Sequence, residues 1–77
     1  MSLNSHLEDI LGKNIVGVLA KKGDTTPLNQ VFFFFDDGTY FEFYGADIQN
    51  AKGLVSESIE EVRRFSPERK IICEFHK

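Results

Sequence analysis

Apolar and polar positions change period several times along this chain, and each change marks an element. Ser5-His6-Leu7-Glu8 sets serine and glutamate at capping-box spacing, with Leu7, Ile10 and Leu11 at helical spacing behind them and Gly12 as a stop. The spacing predicts a short helix over about 5–11. From Asn14 to Lys22 the β-formers Ile15, Val16, Val18 and Leu19 put apolar groups on both faces of a strand. KKGDTTPLN reads as a turn region, because Gly23 and Asp24 bend the chain and Pro27 cannot donate to a ladder. Val31 to Phe35 and Thr39 to Tyr44 read as the next two strands, joined by Asp36-Asp37-Gly38. Residues 45–55 are poorly patterned, with Ile48 and Leu54 expected to tuck under the sheet and Gly53 at a bend. Ser58-Ile59-Glu60-Glu61 is a second capping box, and Ile59, Val62 and Phe65 form an apolar stripe at a spacing of three. Glu60 is placed to pair with Arg63 or Arg64, and Pro67 ends the helix. Lys70 to His76 is the last strand, with Ile71, Cys73 and Phe75 on one face. The expected fold class is α+β: a four-stranded, mainly antiparallel sheet in the order α-β-β-β-α-β, with the helix around 58–65 packed on one face.

The hairpin holds four consecutive phenylalanines, Phe32 to Phe35, and its register decides where they go. A two-residue loop at Asp37-Gly38 pairs Phe34 with Phe41 and Phe32 with Phe43. A three-residue turn with Gly38 as a left-handed bulge residue pairs Phe33 with Phe41 and Val31 with Phe43. One residue of slip turns the whole strand over. The bulge is favoured, because it gathers Val31, Phe33, Phe35, Phe41 and Phe43 on one face as a core. The other face then carries Gln30, Phe32, Phe34, Asp36, Tyr40, Glu42 and Tyr44. Four aromatics there, half hidden by sheet neighbours, leave roughly 300–500 Å² of apolar surface, as much as free monomers usually show. The N-terminal helix would cover this face, or another molecule would.

Length matters because 77 residues make one small domain, expected to span 1–77, with a marginal core. Cys73 is alone, so no internal disulfide helps, and His6, Cys73 and His76 are too few to suggest a structural metal site. Idealised packing or self-association are the remaining supports for so small a fold. No basic, long apolar start marks a signal peptide, and the expectation is a cytoplasmic protein. Net charge is −3. Residues 36–61 hold seven acids against Lys52 alone, whereas 62–77 hold five bases against Glu68 and Glu74.

Catalytic chemistry finds little purchase. Asp36 and Asp37 sit in a tight turn, where aspartate is favoured for backbone reasons. Cys73 and His76 are three apart on a strand and point to opposite faces, so they form no nucleophile–base pair. Cys73 reads as a small core residue between Ile71 and Phe75, and His6 and His76 as solvated. There is no phosphate-cradling glycine loop, nucleophile elbow or HExxH, and no cofactor is expected. Single-stranded nucleic acid is an alternative partner: Phe32, Phe34, Tyr40 and Tyr44 would stack bases, and Arg63, Arg64, Arg69 and Lys70 would meet phosphates. Against it stand the acidic balance and Glu42 within the aromatic face. The layout LEDILGKNIVGV, FDDGTYFEFYG, SIEEVRRF is similar to that of many small bacterial proteins, some of them antitoxin-like or immunity-like partners of one other protein. That resemblance rests on size and layout rather than on a specific motif. The functional expectation is a non-enzymatic domain for protein association, foremost a homodimer, with Phe32, Phe34, Tyr40, Glu42 and Tyr44 as contact residues. A small-ligand carrier would need a cavity under the 45–55 segment.

Overall fold

The computed structural model describes residues 7–24, 29–45, 50–64 and 70–76, of His76 the backbone. Among them are five strands: β1 (Ile15–Lys22), β2 (Asn29–Phe35), β3 (Thr39–Tyr44), β4 (Asn50–Ser56) and β5 (Lys70–His76). One short α-helix, α1 (Ile59–Arg64), links β4 to β5, and a 3-10 turn, Glu8–Ile10, precedes β1. The strands form one antiparallel sheet in the order β4-β3-β2-β1-β5. This corrects the four-stranded α+β layout: the sheet has five strands, and the described residues are mostly β. The missing strand is β4, read from sequence as an unpatterned stretch. Gly53 weakens its β signal, and the β3–β4 ladder shifts register between Tyr40 and Glu42, opposite Val55 and Lys52. Ser5 and His6 lie outside the described residues, so the first capping box does too.

The hairpin takes the bulged register. Phe33 pairs with Phe41, Val31 with Phe43 and Phe32 with Glu42. Gly38 has φ +85°, where only glycine sits without strain, and its N–H donates to Phe35 O at 3.3 Å. The phenylalanine run is therefore split between the two faces of the sheet, and each face has its own cover.

On the first face, Phe32, Phe34 and Tyr40 join Leu19 and Val62 in a buried cluster, with Val55 and Ile59 packed against it. The rings meet edge-on or tilted, Phe32–Tyr40 at 5.7 Å and Phe34–Tyr40 at 5.6 Å between centroids. Its cover is α1. Gly17 lets the helix approach β1 closely, since a Cβ there would lie 3.5 Å from Ile59 Cδ1 and 3.3 Å from Phe75 O. On the second face, Phe35, Phe41 and Ala51 are buried beside Ile10, Phe33, Phe43 and Leu54. The 3-10 turn supplies Ile10. The sequence reading named no face for the helix around 58–65 and gave the N-terminal helix, or another molecule, as the cover of the Phe32–Phe34 face, which α1 covers instead.

A six-residue helix has no stability of its own in water. Ser58 Oγ accepts the N–H of Glu61 at 3.2 Å, which is the N-cap that the capping-box spacing predicts. The other end is held by Lys21, 1 % exposed in β1. Its Nζ donates to Val62 O at 2.8 Å and Arg63 O at 3.2 Å, placing a cation on the negative end of the helix. Phe65, Ser66 and Pro67 lie outside the described residues.

Candidate interaction surface

The residues expected to touch a partner lie inside the monomer. Phe32 is 2 % exposed, Phe34 5 %, Tyr40 2 % and Glu42 7 %, and Tyr44 is half-buried at the end of β3. The reason is α1, which occupies the face the sequence left uncovered. Burial also pushes the Tyr40 hydroxyl above its ordinary pKa. Glu42 finds partners within the chain: its Oε2 accepts from Gln30 Nε2 at 2.9 Å, and it lies opposite Lys52 in the β3–β4 register.

The same burial removes the base-stacking platform of the nucleic-acid reading. Its cations are partly engaged as well. Arg63 Nε donates to Glu74 Oε1 at 3.0 Å and its Nη2 to the other carboxylate oxygen, a bidentate pair that raises the guanidinium pKa. Arg64 lies 3.6 Å from Glu61. Glu60, expected to pair with Arg63 or Arg64, adds to the negative field on Arg63, while the direct partners are Glu74 for Arg63 and Glu61 for Arg64. Lys70 is exposed, and Arg69 lies outside the described residues.

The turn aspartates are structural. Asp37 Oδ1 accepts the N–H of Thr39 at 3.0 Å, and Lys13 Nζ donates to Oδ2. The lysine and Thr39 bonds hold the Asp37 carboxyl down at about 2. Asp36 Oδ2 accepts from Asn14 Nδ2 at 3.0 Å. A recess of about 270 Å³ opens where α1 begins, lined by Gly17, Phe34, Thr39, Glu57, Ser58 and Ile59 among others, and none of the described residues of 45–55 is among them. Among the described residues, no three His, Cys, Asp or Glu side chains gather into a metal site, and no helix is long and apolar enough to cross a membrane.

What sequence reasoning missed is the exposure of β5, a strand it placed correctly at Lys70–His76. Its Ile71 is 38 % exposed, Ile72 55 % and Phe75 66 %, and Cys73 is half-buried. Alternating apolar residues there read as a core face. They lie instead on an edge strand, with β1 as the neighbour on one side. The β1–β5 ladder pairs Ala20 with Cys73 and Lys21 with Ile71, so Ile72 is the extra residue at a register shift. The available signal was its position: a final strand behind a helix has fewer neighbours than one inside a meander. Comparison with protein families, with curated proteins and with solved structures gives no match.

Proposed function

We propose that this chain is a non-catalytic association domain that works as a homodimer, with the exposed apolar side chains of β5 as its contact surface. The observation that carries the reading is the concentration of Ile71, Ile72 and Phe75 on one edge strand. Large apolar side chains standing together in water favour a partner over solvent. So small a fold also gains stability from association. The non-catalytic part rests on the sequence, where no nucleophile, base or phosphate loop stands at a workable spacing.

Light scattering across a dilution series tests it. A mass near twice 8.8 kDa that falls on dilution is the expected result. A mass of 8.8 kDa at every concentration would remove the homodimer. A dimer that survives Phe75→Lys unchanged would move the contact away from β5.

A further inference from the structure

Resting on that reading of β5, we propose that two copies pair β5 with β5, antiparallel across a two-fold axis, so that two five-stranded sheets continue as one of ten strands. Among the described residues β5 is the last strand of its sheet, and one side of its backbone has no strand neighbour there. Unpaired edge N–H and C=O groups flanked by apolar side chains are a template for another strand.

The occupant is a second copy because of how the two edges differ. β4, the opposite edge, is the more covered: its Leu54 packs in the cluster that Ile10 of the 3-10 turn joins, whereas Ile71, Ile72 and Phe75 of β5 stand exposed. A molecule with one open edge saturates after pairing once. β5 on β5 is an isologous contact and closes as a dimer, whereas β5 on β4 would be heterologous and would run on into a filament. The strand also complements itself. Full overlap of Lys70–His76 puts Cys73 opposite Cys73 of the second copy and Ile71 opposite Phe75, twice. Glu74, near the axis, brings a carboxylate already held by Arg63.

Area sets the strength. At roughly 150–250 Å² for a whole large side chain, the exposed parts of Ile71, Ile72 and Phe75 amount to about 240–400 Å² per chain. A standard interface takes about 800 Å² from each partner. The dimer is therefore weak and dissociates on dilution.

Cys73 is the reporter. Opposite residues of an antiparallel pair have Cα atoms about 4.5–5.5 Å apart, inside the range of about 4.4–6.8 Å that a disulfide spans. Diamide, which takes up the two electrons and two protons as the S–S bond forms, should convert the wild-type protein to a covalent dimer. Ile72→Lys and Phe75→Lys should lose both the dimer mass and the cross-link while melting cooperatively. Amides of residues 70–76 should show hydrogen-exchange protection that rises with protein concentration. A wild-type dimer that Phe75→Lys dissociates, but whose Cys73 never cross-links and whose β5 amides gain no protection, would overturn edge pairing and leave the homodimer standing. A wild-type protein that is monomeric throughout would remove both.

Discussion

Asp37 and Gly38 together set the register on which both cores depend. The carboxylate of Asp37 is ionised far below neutral pH, at about 2, because Lys13 and Thr39 donate to it in the folded state. An unfolded aspartate titrates near 3.8, so the folded value is the lower one. Its contribution is therefore complete above about 4 and is lost as pH falls towards 2. Asp37→Asn should lower the melting temperature slightly at pH 7, the loss being small because solvent screens this exposed group, and the difference from the parent should vanish as pH falls towards 2, which flattens the acid side of the profile. A profile of unchanged slope would mean that another carboxylate governs acid unfolding. Gly38 acts through its backbone alone. No atom lies within 4 Å of where its Cβ would be, so substitution costs only conformation. Gly38→Val should lose about 1–2 kcal/mol in urea unfolding, and Gly38→Asn less, because asparagine tolerates the left-handed region. Equal losses for the two would point to a lost contact instead.

Helix α1 shows how an element can be legible in sequence while its place is not. Ser58 and Glu61 announced its start, and the apolar stripe through Ile59 and Val62 announced a buried side. The pattern did not say which face of the sheet would receive it, because both faces of β2 present phenylalanine. That choice came from Gly17 and Lys21, which share a side of β1 with Leu19: one makes room for the helix and the other holds its last carbonyls. A lysine late in a strand reads as a solvated end, so nothing local revealed the second role. Lys21→Met keeps the stem that packs and removes the donor. It should cost about 1–3 kcal/mol, because two helix-end carbonyls lose a charged partner. Hydrogen exchange should place the loss in α1 before the β1–β2 pairing opens. A uniform loss would make Lys21 a packing residue only. β4 failed for a different reason. Ala51, Lys52 and Gly53 carry little β propensity, and the strand forms because β3 offers it an edge.

At the scale of the whole molecule, the two ends of the aromatic story separate core from surface. Phe34 and Phe75 look alike in an alternating pattern, since each sits among apolar neighbours on a strand. Phe34 is central, with α1 above it and Tyr40 across the hairpin, whereas Phe75 is on the outermost strand. Hydrophobic period tells which side of a strand is apolar, and sheet order tells whether that side is inside. Sheet order is set by long-range pairing, here the return of β5 to β1 rather than to β4. The consequence is a pair of substitutions with opposite outcomes. Phe34→Glu removes a buried ring, worth about 3–5 kcal/mol, and leaves a carboxylate without a cation in its place, for several more. A small domain holds about 5–15 kcal/mol in total, so this variant should show no cooperative melt and no stable fold. Phe75→Glu puts its charge in water and should stay within about 0.5 kcal/mol of the parent in the monomeric state, measured at a concentration where both are dissociated. If Phe34→Glu instead folds as a soluble monomer, α1 is not the cover of that face, and the buried cluster of Leu19, Phe32, Phe34, Tyr40 and Val62 must open readily enough to give its aromatics to a partner.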